Sequence, residues 1–133
     1  MPQTAPAIIL STLNAKYIHA SLGLRYLLAN MARHGGDELR ASCVLREFTI
    51  ARPPAEIVAA LLAEQGETPA AGLQIIGFGV YIWNVTATTE VVRQLKQARP
   101  DLKIVLGGPE VSHEWEDQEI VRLADYLITG WGD

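Results

Sequence analysis

Short apolar runs alternate along the chain with stripes of apolar residues at helical spacing. The run Ala7–Leu10 has no polar member, which is typical of a strand covered on both faces. The pattern predicts strands at 7–10, 39–50, 73–80, 102–106 and 126–129. It predicts helices that begin near Leu24, Pro54, Asn84 and Glu116. A strict alternation of strands and helices with short connections predicts a parallel sheet with right-handed crossovers and helices on both faces.

The order of the strands follows from how apolar each one is. The second strand alternates in part, with Leu39, Ala41 and Cys43 on one side, and this favours an edge position. The third strand, 73–80, is the most apolar and is expected at the centre. We therefore predict an α/β fold of Rossmann-like, flavodoxin type, with five strands in the order 2-1-3-4-5. In that order a ligand crevice lies above the carboxyl ends of strands one and three.

Three loops should meet at this crevice. The first, 13–23, is long for a loop between a strand and a helix. The second carries two large rings, Tyr81 and Trp83, and the third opens with Gly107 and Gly108. Taken singly, the rings fit ordinary packing and the glycines fit a tight strand exit. Their convergence indicates a broad, flat, partly apolar ligand with polar groups at its rim.

Composition and charge narrow the classes of function. The 133 residues fit one domain over 1–133, and the net charge of -4 with scattered basic residues argues against a nucleic-acid surface. Cys43 is the only cysteine, so the chain has no intrachain disulfide and no all-cysteine cluster site. The sequence lacks a signal-peptide profile at its start and an apolar run of membrane-spanning length. We expect a cytoplasmic protein.

Four segments in this order resemble the cobalamin (B12)-binding domain at the N-terminus of B12-dependent radical SAM proteins. These segments are 13–19, 77–80, 107–110 and 125–133. The last is similar to the Gly-Glu-Gly-Glu junction of that family, with Trp131 and Asp133 as departures. The resemblance covers nearly the whole chain.

The resemblance implies a cobalamin across the carboxyl edge of the sheet. The residues that it assigns to the cofactor are Leu13, Asn14, Tyr17, His19, Tyr81, Trp83, Asn84, Gly107, Gly108, Pro109, Glu110, Gly130 and Gly132. It further implies a radical SAM domain after residue 133, with a 4Fe-4S cluster and S-adenosylmethionine, in a parent that is a methyltransferase. The chain alone would then be catalytically silent, because the cofactor's chemistry needs the other domain.

Cobalt ligation departs from the pattern of related B12 domains. Those of methionine synthase and the mutases place a histidine under cobalt with Asp-x-His-x-x-Gly. Here Tyr17 stands where the aspartate belongs, and Gly23 is one residue too far from His19. The carboxylate that would orient the imidazole is missing. We expect a base-on or histidine-free lower face, with His19 as the alternative cobalt ligand.

Other classes of protein fit the sequence less well. A phosphorelay receiver needs acidic residues after strands one and three, where Thr12 and Tyr81 stand. A nicotinamide-binding domain needs G-x-G-x-x-G directly after strand one. A flavodoxin-like flavin binder stays open, although its first loop is normally rich in Ser, Thr and Gly. A non-catalytic interaction domain is the remaining alternative.

Overall fold

Strands and helices alternate throughout the computed structural model, which describes residues 7–14, 22–65, 74–108 and 118–128. The elements are β1 (Ile8–Asn14), α1 (Leu22–Ala41), β2 (Cys43–Thr49), α2 (Pro54–Gln65), β3 (Ile75–Gly79), α3 (Val85–Ala98), β4 (Lys103–Gly107), α4 (Glu119–Leu123) and β5 (Tyr126–Leu127). None of the helices in these ranges combines the length and the apolar composition that crossing a bilayer requires.

The strands form one parallel sheet in the order β2-β1-β3-β4-β5, which confirms the predicted fold class. Ile9 of β1 lies opposite Val44 of β2 and Ile76 of β3. Ile76 in turn lies opposite Ile104 of β4. Ile9, Ile76 and Ile104 are fully buried, because the central strands are covered on both faces. β2 is an edge strand, as its alternating pattern predicted.

The main core lies between the sheet and the layer formed by α2, α3 and α4. Side chains of the central strands pack there against Ile57 and Leu61 of α2, Val92 and Leu95 of α3, and Ile120 of α4. α1 packs instead against β1 and β2. The connection through α1 leads from β1 to its neighbour β2, in one direction across the sheet. The connection through α3 leads from β3 to its neighbour β4, in the opposite direction. Right-handed crossovers therefore place α1 and α3 on opposite faces.

The boundary between α1 and β2 differs from the prediction. Helical structure continues to Ala41 across a kink at Gly36, whose φ is 79°, and β2 begins only at Cys43. The prediction of a strand from Leu39 was wrong, because a few alternating residues fit the second half of a kinked helix equally well. Ser42 ends the helix, with its hydroxyl donating to the Leu39 carbonyl oxygen at 3.0 Å.

β1 is longer than predicted and includes residues that the sequence assigned to the first loop. It runs to Asn14, and Leu13 is fully buried in the main core. The polar pair Ser11 and Thr12 looked like the end of the strand. Both hydroxyls are satisfied inside the sheet, since Ser11 donates to the Arg46 carbonyl oxygen and Thr12 donates to that of Gly79.

A buried guanidinium lies at the amino edge of the sheet, which is the edge formed by the amino ends of the strands. It stands beside the starts of β3 and β4. Arg99 is almost fully buried and donates from Nε and Nη2 to the Asp101 carboxylate at 2.8 and 2.7 Å. Its Nη2 also donates to Oε1 of Gln74 at 2.8 Å. The hydrogen bond from Arg99 lowers the pKa of the Asp101 carboxyl.

A second charged side chain, that of Lys96, lies at the same edge beside the starts of β4 and β5. Nζ of Lys96 donates to Oδ2 of Asp125 and to the Leu102 carbonyl oxygen, each at 3.0 Å. The Ile104 N–H donates to the same Asp125 oxygen at 2.9 Å. Burial opposes ionisation of Asp125, but the bonds from Ile104 and Lys96 outweigh it, and the pKa of this carboxyl is lowered.

Candidate functional site

The carboxyl ends of β1 and β3 lie side by side at the point where the chain connections diverge. β1 leads to β2 on one side and β3 leads to β4 on the other, so a crevice opens between the two connections. The five strands make an edge roughly 19 Å wide, from four inter-strand spacings of about 4.8 Å. This edge can accommodate a broad ligand.

Two stacked rings stand directly after β3 at this edge. Tyr81 and Trp83 have ring centroids 4.5 Å apart and an interplanar angle of 7°. Trp83 is 50% exposed, and Ile82 between the two rings is 77% exposed. Because each ring covers one face of the other, the pair forms a single rigid unit. A free face of this unit and the Ile82 side chain are available to a flat apolar group.

The turn that carries the rings is closed by two reciprocal hydrogen bonds. The Tyr81 N–H donates to Oδ1 of Asn84 at 2.8 Å, and the Asn84 N–H donates to the Tyr81 carbonyl oxygen at 3.0 Å. Asn84 precedes α3 as predicted, but its side chain does not cap that helix. Its acceptor oxygen serves the turn instead.

The amide nitrogen of Asn84 ties the same turn to β1 and β3. Nδ2 donates to the Leu13 carbonyl oxygen at 3.0 Å, and to Oγ1 of Thr12 and the Gly79 carbonyl oxygen at 3.2 Å each. Thr12 Oγ1 itself donates to the Gly79 oxygen at 2.9 Å. Asn84 and Thr12 are fully or nearly fully buried. In so dry an environment an unpaired amide would be costly, so this network fixes the turn firmly.

Glycines end two neighbouring strands at this edge, β3 and β4. Gly108, directly after β4, has a φ of 111°, and a Cβ there would overlap the Val80 carbonyl oxygen. Only glycine therefore allows the β4 exit to fold against the β3 exit. The Val80 N–H donates to the Gly107 carbonyl oxygen at 2.7 Å, which joins the two exits. A Cβ at Gly107 would meet only the Ile128 carbonyl oxygen, at 3.9 Å.

Exposed apolar side chains concentrate at this edge. Among the residues that the structure describes, five large hydrophobic side chains are exposed: Ile50, Ile82, Trp83, Tyr126 and Ile128. All except Tyr126 follow the carboxyl end of a strand, namely β2, β3 or β5. An apolar surface spread across one edge of a sheet indicates a ligand or partner that covers it.

Within the described ranges of the chain, no three His, Cys, Asp or Glu side chains cluster as a metal site would require. Arg52, in the connection after β2, lies with its guanidinium 5.3 Å from the centroid of the Phe48 ring. Burial raises the pKa of the Cys43 thiol, but Cys43 begins β2 and so lies at the opposite edge.

The structure brings together the described parts of the three predicted loops. Asn84 of the second loop bonds to Leu13 at the start of the first, and Val80 bonds to Gly107 at the start of the third. The remaining predicted site residues lie outside the described ranges: Tyr17, His19, Pro109, Glu110, Gly130 and Gly132.

Three of the predicted cofactor-binding residues are buried. Leu13 and Asn84 have no exposed surface and lie beneath the edge. Asn14 is also buried, and its carbonyl oxygen accepts a hydrogen bond from the Ile50 N–H at 2.9 Å. Tyr81 and Trp83 lie at the edge itself.

Sequence reasoning missed Thr12, Ile50 and Ile128. Thr12 was interpreted as part of the polar end of strand one and as a position that lacks an acidic residue, yet its hydroxyl bonds across to β3. Ile50 and Ile128 follow strand ends, and an apolar residue just beyond the end of a strand is a signal that could have identified them.

The sequence of the chain matches the model of a known protein family. The family model described as the B12 binding domain matches residues 9–133. This range begins at the second residue of β1 and covers almost the whole chain. No curated protein matches the chain.

Proposed function

The chain belongs to the B12-binding domain family, and we propose that it holds cobalamin across the carboxyl edge of the sheet as the N-terminal module of a radical SAM methyltransferase. Membership of this family supports cobalamin as the ligand. The position of the cofactor, the residues that contact it and the parent enzyme are the proposed parts.

The described residues of the edge fit such a group. Cobalamin presents a broad, partly apolar ring, and the edge offers Ile82, Trp83 and Ile128 as exposed apolar surface. Gly107 and Gly108 leave backbone, not side chains, at the exit of β4. This combination of exposed apolar groups and glycine backbone at one edge is the observation that carries the proposal.

Each group at the edge then has a distinct role. The stacked Tyr81–Trp83 pair borders the ring and excludes water from one side of it. The backbone after Gly107 approaches the ring or its nucleotide closely, because glycine leaves no Cβ in between. When bound, cobalamin supplies the chemistry of methyl transfer, while this domain holds and aims the group.

The radical SAM parentage is supported by the order and spacing of the four sequence segments that resemble that family. Such a parent would provide the cluster and S-adenosylmethionine from a following domain. Purified in its longest natural form without oxygen, the protein should contain iron and sulfide and should cleave S-adenosylmethionine. A natural protein without a cluster would contradict the parentage and leave cobalamin binding untouched.

Cobalamin binding is tested on the chain itself by mixing it with hydroxocobalamin and, separately, with FMN. After desalting, corrin absorption should stay with the protein and flavin absorption should not. Retention of flavin alone would favour the flavin-binding alternative, and retention of neither would contradict the proposal. The corrin spectrum also distinguishes a base-on from a histidine-ligated cobalt, which tests His19.

A further inference from the structure

The hydrogen-bond ladder between β1 and β3 stops before β1 ends. It ends at the pair Thr12 and Gly79, whereas β1 runs on beside β2 to Asn14. On its β3 side, the Leu13 carbonyl oxygen therefore has no strand donor opposite it. The Asn84 amide donates to this oxygen and to the Gly79 oxygen. A side chain thus replaces the missing end of the ladder at the centre of the crevice.

The same amide is also joined to the turn that carries the aromatic pair. Its Oδ1 accepts from the Tyr81 N–H, and Tyr81 stacks on Trp83. Thr12 Oγ1 accepts from this amide and donates to the Gly79 oxygen, one residue before the β3 exit. A continuous path of buried hydrogen bonds therefore leads from β1 through Thr12 and Asn84 to the rings.

We propose that Thr12 and Asn84 are positioning residues, which set the place and tilt of the Tyr81–Trp83 pair and thereby the affinity for cobalamin. This inference rests on the proposed function for its consequence, but the effect on the rings can be measured without cofactor. Both side chains are buried beneath the surface of the edge. They act through the rings, by holding them in the binding geometry before the ligand arrives.

The chain provides a matched control for the loss of a buried threonine hydroxyl. Thr88 of α3 is as buried as Thr12, but its Oγ1 has no hydrogen-bond partner among the described residues. Thr12→Val and Thr88→Val each exchange a hydroxyl for a methyl group of similar size, and only the first removes hydrogen bonds of the network that holds the turn, those of Thr12 Oγ1 with Asn84 and Gly79. Thr12→Ser keeps the hydroxyl and serves as the conservative rescue.

The near-ultraviolet circular dichroism of the ligand-free chain gives the first readout, with Tyr81→Ala identifying the bands of the stacked pair. Thr12→Val should change those bands, and it should weaken hydroxocobalamin binding about tenfold, the equivalent of roughly 1.4 kcal/mol. Thr12→Ser and Thr88→Val should match the wild type in the ring bands and in the affinity for hydroxocobalamin. If Thr12→Val does not fold, Thr12→Ala removes the same hydroxyl without adding a methyl group.

Asp101→Asn distinguishes an effect on ring position from a general loss of stability, because it weakens the amino edge far from the rings. Equal weakening of cobalamin binding by Asp101→Asn and Thr12→Val would overturn the inference. So would ring bands and affinity that stay unchanged in Thr12→Val. If the wild-type chain fails to bind cobalamin, the proposed function fails, and the ring bands alone decide whether Thr12 positions the pair.

Discussion

The two edges of the sheet are built from opposite kinds of residue. The amino edge is closed by Arg99 and Lys96, whose charges meet the carboxylates of Asp101 and Asp125. The carboxyl edge ends in glycine backbone, with a buried amide network below it and exposed apolar side chains above it. At one edge the polar groups are already paired within the protein. At the other, apolar surface is left to water.

This difference teaches which edge is built for a ligand. Charges that are paired and hydrogen-bonded gain nothing from a further partner, and breaking such pairs is costly. Exposed apolar surface gains roughly 25 cal/mol for each Å² that a ligand removes from water. Variants at the amino edge should therefore change stability alone, and variants at the surface of the carboxyl edge should change binding.

Asn84→Ala should have the largest effect. It removes three hydrogen bonds that join the turn to β1 and β3 and a fourth that closes the turn itself, and it leaves the buried Leu13 and Gly79 carbonyl oxygens without this donor. We expect a loss of about 3 kcal/mol in the free energy of unfolding, measured with urea. Gln94→Ala removes an amide of the helix that follows, α3, which among the described residues donates to Glu90, and should cost less than about 0.5 kcal/mol. Equal losses of unfolding free energy in the two variants would show that the Asn84 network contributes no more stability than the Gln94 hydrogen bond.

Gly108→Ala should have the next largest effect. The left-handed φ and the overlap with Val80 act together, and we expect a loss of about 2 kcal/mol with weaker cobalamin binding. Gly36→Ala is the matched control, because Gly36 also has a positive φ but open space around its Cβ position. It should cost about 1 kcal/mol and leave binding unchanged. A Gly108 variant as mild as the Gly36 variant would mean that the β4 exit can move freely.

Asp125→Asn should cost about 1 kcal/mol at neutral pH, because the bond from Lys96 loses its charge while the Ile104 N–H keeps an acceptor. The pKa of Asp125 is lower in the folded chain than the unfolded value of about 3.9. Its stabilising contribution is therefore present above that pH and is lost as the pH falls through the folded pKa. Urea unfolding across this acidic range should show the variant and the wild type converging. Weaker cobalamin binding by this variant at neutral pH would contradict the separation of the two edges.

Ile82→Ser should have the smallest effect, confined to binding. This side chain is mostly exposed, so stability should change by less than about 0.5 kcal/mol. Loss of its apolar contact should raise the dissociation constant for hydroxocobalamin about fivefold, as measured by spectral titration. Tyr126→Ser removes another mostly exposed large side chain, at the start of β5, and should leave binding unchanged. Equal changes in the two variants would place the ligand elsewhere.

The fold could be predicted from the sequence because the apolar pattern is strong in the central strands. Ile76 and Ile104 belong to runs whose burial on both faces is evident without coordinates. The kink at Gly36 could not be predicted, since the residues after it fit a strand as well as a helix. The end of β1 was missed because the hydroxyls of Ser11 and Thr12 find partners inside the sheet.

The site was predicted in part. Topology brought the second and third loops together, and the aromatic pair could be identified as large rings in a turn. The burial of Asn84 could not be predicted, because its four hydrogen bonds reach residues up to 72 positions away in sequence. Long-range side-chain contacts of this kind leave no local pattern.

Hydrogen exchange of the chain with and without hydroxocobalamin tests the central claim most directly, because it compares both edges in one experiment. We predict that the cofactor slows exchange in segments 80–84 and 107–108 and leaves segments 99–104 and 124–126 unchanged. Slowed exchange confined to the amino-edge segments, or no change in either set with cofactor bound, would contradict the account.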